Sequence, residues 1–373
     1  MERKIKLIFF HPYSFIGGAD NSLRRLIENL DLKKFSITFL SLNKTYLRNV
    51  LSKDITFKTL KAQRTIFAII ELKRLINNYL KKGNFQKIIV ISNQNFANLA
   101  VSFAIEDNPK LKSIFIERNH LDELNFYKNF IEKFKKKIVK ILMKWRYSKA
   151  DVVVGISKKL SNDLSDHIKK KVKTIYSPSF DKRIIKKSKE KLSLPKRFKY
   201  IINVSRFSKE KDHPTTLKAF KLASNKIKNL KLILIGHGAE LSKIKSLAKE
   251  LNIFSRIIII NKTQNPYKYM RKSKLLILTS VYEGFPNVLN EALTLGTPVI
   301  SSNANAGASE ILLNGKGGDL IKIKDYKNLS KKIINHLKFP KKLQKKTIFA
   351  QKNLYRFEAK RHSKIYTNLF KNI

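Results

Sequence analysis

Two glutamates, Glu283 and Glu291, stand eight positions apart in "TSVYEGFPNVLNEALTLGTPVIS", residues 279–301. Carboxylates accept hydrogen bonds and never donate them when ionised, so such a pair suits the holding of hydroxyl groups. The chain carries 79 Lys+Arg against 27 Asp+Glu, a formal net charge of +52, yet residues 275–315 hold three glutamates and no basic residue. Within this window "LLILTS" reads as a strand, "VYEGFP" as a turn and "NVLNEALTLG" as a helix closed by Gly296. Pro286 at the helix start leaves the backbone N–H groups of Asn287, Val288 and Leu289 as donors aimed at an anion. Glu291, one turn in, is then placed to accept from the two hydroxyls of a ribose, and Glu283 from whatever the phosphate carries. The plainer reading is that both glutamates are surface residues, one of them offsetting the helix dipole.

Three further strand ends carry suggestive residues, and ligands of parallel α/β sheets bind outside the carboxyl ends of the strands. In "FFHPYSFIGGADNSLRRLIENL" the pair Gly17-Gly18 opens a helix after the first strand, where amides approach a ligand closely. In "INVSRFSKEKDHPTTLKAF" Arg206 and Lys211 lie between a strand and a helix, and two cations there suit a diphosphate. In a chain this basic they read equally as solvated surface charges. "LILIGHGAELSKI", with Gly236, resembles a dinucleotide fingerprint but lacks the third glycine, and the next strand ends in Asn261 rather than an acid. A nicotinamide enzyme is therefore set aside. Seven histidines without i, i+4 pairing give no metal site.

These residues need a scaffold, and the rest of the sequence describes one. "KIKLIFF", "FSITFLS", "KIIVIS", "KSIFIE", "DVVVGI" and "VKTIYS" read as strands, separated by helical patterns at 18–30, 64–82, 93–106 and 122–147. After the charged stretch "SFDKRIIKKSKEKLSLPKRFK" the alternation restarts with "YIINVS", "LKLILIG", "RIIII", "KLLILTS" and "TPVISS". The segment 326–371 reads as helical. The expectation is α/β: two doubly wound parallel-sheet domains, 1–180 and 199–355, with a linker at 181–198 and a last helix, 356–373, returning toward the first domain. At 373 residues two domains are the natural division. The absence of cysteine excludes disulfides and thiolate chemistry. The amino terminus reads as a strand rather than a signal peptide, and no apolar run reaches the roughly 18 residues that cross a bilayer.

"YEGFPNVLNEALTLGTPVI", followed by "GASEIL" and "GKGGDL", resembles the long signature of GT-B glycosyltransferases of family 4, including its two glutamates. The resemblance extends through "NVSRFSKEKD", "LILIGHGAE" and "GGADNSLRRLIENL" over nearly the whole chain. It implies the GT-B fold, with two Rossmann-like domains facing a cleft, and a metal-independent hexosyltransferase that retains anomeric configuration. It also implies which residues meet the donor: Gly17, Gly18, Arg206, Lys211, Gly236, Thr263, Glu283, Gly284, Phe285, Pro286, Asn287, Val288, Leu289 and Glu291. Arg206, Lys211 and the helix amides hold the diphosphate, Glu291 the ribose and Glu283 the transferred sugar. The base meets the chain near Lys262-Thr263. The family's acceptor-side histidine corresponds here either to His120 or to the pair Glu117-Arg118, in "SIFIERNHLDEL". Ser157 matches a position facing the cleft. The catalytic set so implied is Glu283, Arg206, Lys211 and His120, with no metal and no cofactor, the nucleotide sugar being a substrate.

The expected substrates are a nucleoside-diphosphate sugar (UDP-N-acetylhexosamine or UDP-hexose first, GDP-mannose second) and a glycan or lipid-linked acceptor of surface polysaccharide assembly. Alternatives are a basic nucleic-acid-binding protein and a glycoside hydrolase using the two glutamates. Against nucleic acid, the best-marked site is the window without Lys or Arg. Residues 122–147 read as one long helix with an apolar row at Phe126, Phe130, Phe134, Ile138 and Leu142, and Trp145 near its end. Lys133, Lys136, Lys137, Lys140 and Lys144 fall largely off that row. The expectation is a row buried on the sheet with lysines meeting an anionic membrane, the protein being cytoplasmic and peripheral at the inner face of the cytoplasmic membrane.

Overall fold

The computed structural model describes the chain except residues 1, 2, 15, 16, 106, 107, 128, 262, 264, 305 and 306. It divides into two units, Met1–Pro178 with Ala359–Ile373, and Ser179–Glu358. The first unit holds seven strands: β1 (Ile5–Phe10), β2 (Phe35–Ser41), β3 (Thr56–Thr59), β4 (Ile88–Asn93), β5 (Leu111–Glu117), β6 (Val152–Gly155) and β7 (Val172–Thr174). They form one sheet in the order β3-β2-β1-β4-β5-β6-β7. Its pairings are parallel, with Ile8 beside Thr38 on one side and Val90 on the other. Every residue of β1 and β4 is buried, which is why their sequences are nearly continuous apolar runs rather than alternating ones.

The second unit holds β8 (Lys199–Val204), β9 (Leu230–Ile235), β10 (Ile257–Ile260), β11 (Leu275–Leu278), β12 (Val299–Ser302) and β13 (Asp319–Ile321). Their order is β10-β9-β8-β11-β12-β13, again parallel. Strand order reverses between β1 and β4 in one sheet and between β8 and β11 in the other. At such a reversal the flanking loops leave on opposite faces and open a crevice. In the second sheet the opening shows in the register. β8 pairs with β11 only through Ile201–Leu275 and Ile202–Leu276, while Asn203 and Val204 pair with β9 alone.

Both parallel α/β sheets and the helical end of the chain match the sequence-based expectation. The stretch 181–198 contains the helix Arg183–Ser188 and lies within the second unit. Helices Tyr326–Lys338 and Pro340–Lys352 are separated by Pro340, which starts the second of them. The last helix, Ala359–Asn372, belongs to the first unit, where Phe370 meets the ring of Phe35 edge-on and the Ser363 hydroxyl donates to the Asn29 carbonyl.

One expectation is overturned. Residues 122–147 are not a single helix: a 3-10 turn, Leu121–Asn125, precedes a helix at Phe130–Arg146 capped by the Asn129 side chain. Nor is the row Phe126, Phe130, Phe134 and Ile138 buried. The sheet-facing side chains are Val139 and Met143, with Leu142 half-buried, and the expected row faces solvent. Apolar residues occur on both sides of this helix, so periodicity alone does not choose the packed side.

Candidate active site

At the end of β8 the chain turns through a loop that ends in the 3-10 turn Lys209–Lys211, and at the end of β11 through residues 279–286. Backbone and hydroxyl contacts bind the two loops together. Val281 N–H donates to the Glu210 carbonyl at 2.8 Å, and Thr279 Oγ1 lies 3.0 Å from the carbonyl oxygens of both Lys211 and Asp212. Asp212, in the left-handed region with φ of 47°, reverses the chain and caps the next helix by accepting from Thr215 N–H. Lys211 is thereby turned toward β11. Its Nζ lies 2.5 Å from Glu283 Oε1, each side chain being 13% exposed. Ser280 Oγ donates to the same Glu283 oxygen at 2.7 Å. The two residues that the sequence places at different strand ends form one ion pair at the strand-order reversal.

Arg206 is different. Its side chain is 70% exposed and reaches Glu210 at 3.2 Å. Glu210 also accepts from Ser208 Oγ. Burial alone would raise the Glu210 carboxyl, but Ser208, its own backbone N–H, Arg206 and Lys211 together hold it below the usual range. The two cations thus differ in setting, Lys211 being largely buried and Arg206 at the surface. His213 follows, buried against Phe207 with ring centroids 5.2 Å apart and its Nε2 3.3 Å from Ser205 Oγ. Burial first, then Lys211, lowers it to about 4, so it is neutral at ordinary pH.

The glycines of "GHG" serve this loop. A Cβ on Gly236 would lie 1.8 Å from the Ser205 carbonyl oxygen, and one on Gly238 would lie 2.3 Å from that of Phe207. The loop after β9 therefore rests directly on the backbone that carries Arg206. Gly284 and Phe285 are held similarly: Gly307 N–H donates to the Gly284 carbonyl, and the Phe285 ring meets Phe357 edge-on at 5.2 Å.

The helix Asn287–Thr294 starts after Pro286, and Gly296, at φ of 75°, lies just past its end, as the sequence suggested. Two details depart from expectation. Leu289 N–H is taken by the Pro286 carbonyl at 3.0 Å, so it is not one of the unpaired donors. Glu291 is only 8% exposed, so it is not a surface residue of the helix. Asn287 is also buried, and Val288 is half-buried. Thr263 accepts from Asn265 N–H, while Lys262 lies outside the described residues.

Gly17, Gly18 and His120 belong to the first unit, and the residues just described to the second. Gly17 caps its helix with an extended backbone, φ of −114°, and an added Cβ would meet only ordinary contacts. What the sequence did not suggest is His11, whose Nε2 lies 3.1 Å from Asp20 Oδ1. Burial works against the Asp20 charge, but the hydrogen bonds with His11 and from Gly17 N–H keep its carboxyl below the usual range.

At the end of β5, His120 is buried with both ring nitrogens engaged. Nδ1 accepts from Asp122 N–H at 3.2 Å, and Nε2 lies 2.7 Å from Asp163 Oδ2. Glu117 is fully enclosed and pushed up to about 7 by burial, against hydrogen bonds from Asn119, Tyr147 and Arg118. Arg118 is buried too and donates to Asn93 Oδ1 at 3.0 Å. Ser157 Oγ accepts from Leu160 N–H, a helix cap. The pairing Glu117–Tyr147 spans 30 positions and left no local signal in the sequence. Among the described residues, no group of three His, Asp or Glu side chains is arranged to hold a metal ion. No helix among them is long and apolar enough to cross a membrane.

Comparison with known proteins bears on this geometry. Residues 184–353 match the family model of glycosyl transferases group 1. The chain is 26% identical over 294 residues, 75% of its length and 72% of the relative's, to an uncharacterized glycosyltransferase of Methanocaldococcus jannaschii. It is 31% identical over 193 residues to the N-acetylgalactosamine-N,N'-diacetylbacillosaminyl-diphospho-undecaprenol 4-alpha-N-acetylgalactosaminyltransferase of Campylobacter jejuni. That alignment spans 51% of this chain and 52% of the enzyme. Anabaena HepE, solved with UDP and glucose, superposes with a TM-score of 0.78 at 17% identity, covering 99% of this chain and 100% of that one. WaaG, a glycosyltransferase involved in lipopolysaccharide biosynthesis, gives 0.75 at 13% identity, covering 98% and 100%. At such identities these structures bear on the fold alone. Residues 184–353 of the second unit thus resemble group 1 glycosyl transferases, and the chain has the GT-B fold of the solved structures it superposes on.

Proposed function

We propose that this protein is a retaining glycosyltransferase of family 4 that moves a sugar from a nucleoside diphosphate to a membrane-associated glycan or lipid-linked acceptor. UDP-N-acetylhexosamine or UDP-hexose is the first choice of donor and GDP-mannose the second. The observation that carries the reading is the Lys211–Glu283 pair at the reversal point of the second sheet. A cation and a hydroxyl acceptor stand side by side there, as a sugar joined to a diphosphate requires. Support for the substrates comes from relatives: the Campylobacter enzyme is named for a diphospho-undecaprenol acceptor, and HepE was solved with UDP-glucose.

In this reading Lys211, with Arg206 from the surface, faces the diphosphate together with the first amides of the helix Asn287–Thr294. Glu283 accepts from a hydroxyl of the transferred sugar, and Glu291 from the ribose. The bond from the anomeric carbon to the diphosphate breaks as the acceptor oxygen bonds to the same face. The acceptor proton passes to the departing phosphate oxygen. Negative charge grows on the diphosphate along this path, so fixed cations and amides stabilise the transition state more than the bound donor. We assign that task to these groups rather than to a metal. His120, held by Asp163 and Asp122, is assigned to the acceptor side.

Thermal unfolding in the presence of a panel of nucleotide sugars tests the proposal. A donor at about 100 times its dissociation constant adds about 2.7 kcal/mol to stability. One member of the panel is expected to protect, with its nucleoside diphosphate protecting less. Protection by none of the UDP or GDP sugars would overturn the donor assignment.

A further inference from the structure

The helix Phe130–Arg146 is firmly built on one side and bare on the other. Asn129 caps it, Lys136 bonds back to the carbonyls of Glu123 and Phe126, Lys140 reaches Asn125 Oδ1, and Val139 and Met143 enter the core. The opposite side displays Phe130 (80% exposed), Ile131, Phe134, Ile138, Ile141 and Trp145 (56% exposed). At 3.6 residues per turn these six fall in a sector about 100° wide, directed away from Val139 and Met143. Lys133, Lys137 and Lys144, all exposed, follow one border of that sector. A soluble surface seldom leaves so many large apolar side chains together without an occupant.

We propose that this face docks on an anionic lipid bilayer, its apolar sector entering the headgroup boundary while Lys133, Lys137 and Lys144 meet the phosphates. The reasoning is charge complementarity joined to side-chain type. A second copy of the chain, with a net charge of +52, would bring lysine against lysine. A nucleic acid would use the aromatic rings and the lysines but gains nothing from three isoleucines, whereas a bilayer takes all three kinds. The helix follows the carboxyl end of β5 through the turn that His120 caps, so docking brings that end of the first sheet to the membrane surface. The proposal names a surface that the functional reading does not need, and it is tested without any donor.

Trp145 is the single tryptophan of the chain, so its emission reports on this face alone. The full-length protein is mixed with vesicles of phosphatidylcholine, with and without phosphatidylglycerol, and followed by emission and by cosedimentation. Binding with a blue shift is expected on the anionic vesicles only, reversed near 1 M salt, where the screening length falls to about 3 Å. The variant K133Q/K137Q/K144Q should bind about a hundredfold more weakly, at about fivefold per lysine. The variant F130S/I131S/F134S, altered only at exposed positions, should keep its melting temperature and lose the blue shift. Undiminished binding by both variants would overturn the proposal. So would a blue shift that rises with protein concentration in the absence of vesicles, which indicates a second copy. Oligonucleotide binding at physiological salt that the serine variant abolishes, with no vesicle binding, would overturn it in favour of nucleic acid.

Discussion

Lys211 Nζ and Glu283 Oε1 lie 2.5 Å apart, although 72 positions separate the two residues. The ion pair joins the loops that leave β8 and β11, the strands between which the second sheet reverses its order. Each partner is largely buried, so each charge is compensated by the other. Removing one leaves the other uncompensated in a site of low polarizability.

Lys211→Met is accordingly expected to lower the stability of the protein by about 1–3 kcal/mol, and turnover by a larger factor than donor affinity. Arg206→Ala, at an exposed position, should leave stability within about 0.5 kcal/mol while also lowering turnover more than affinity. Denaturant titration and steady-state kinetics of both variants check this. Intact turnover in either would remove that residue from the diphosphate role.

Glu291 is buried, so the informative substitution is Glu291→Gln, which keeps volume and removes charge. Nucleotide-sugar affinity should fall by about 1.5–3 kcal/mol, the range for hydrogen bonds to a charged group, with the fold retained. Calorimetric titration with a ribonucleotide and its 2′-deoxy analogue is the sharper check. The variant should lose most of the wild-type preference between them, and an undiminished preference would remove Glu291 from the ribose.

Glycine substitutions should separate close approach from mere presence in a turn. Gly236→Ala drives a Cβ into the Ser205 carbonyl and should cost about 1–3 kcal/mol, with weaker donor binding. Gly17→Ala meets ordinary contacts and should cost no more than about 1 kcal/mol, the N-cap preference. Melting temperatures of the two variants test the contrast.

Two buried groups give opposite pH dependences. Glu117 is raised from 4.5 to about 7, so its folded form favours the proton: its contribution is complete below pH 4.5 and is lost as pH rises to 7. His213 is lowered from 6.5 to about 4, so its contribution is complete above pH 6.5 and is lost as pH falls to 4. The stability of wild type minus Glu117→Gln should fall by about 3 kcal/mol between pH 4.5 and 7. The same difference for His213→Gln should rise over pH 4 to 6.5. Denaturant titrations across this range measure both slopes.

The window 279–301 was readable because its signals are local: Pro286 opens a helix, Gly296 closes it, and the glutamates fall at fixed offsets from both. The sheets were readable because buried parallel strands such as Ile88–Asn93 are continuous apolar runs. β3 and β13 escaped notice because they are short edge strands with partly exposed side chains. The partner of Lys211, the role of Glu210 and the Glu117–Tyr147 bond were not readable, since each depends on chain segments brought together only by folding. The helix Phe130–Arg146 shows the same limit from another side. Its apolar residues announce a helix, but only packing decides that Val139 and Met143 face inward and Phe130 outward.

The claim that Lys211 faces a diphosphate and Glu283 the sugar is tested most directly by calorimetric titration of two variants with two ligands. The ligands are the protecting nucleotide sugar and its bare nucleoside diphosphate. Lys211→Met should weaken both by about tenfold or more, a loss of about 1.4 kcal/mol. Glu283→Gln, which frees Lys211, should bind the bare diphosphate at least as tightly as wild type and the nucleotide sugar about tenfold more weakly. Wild-type affinity for both ligands in both variants would contradict the account.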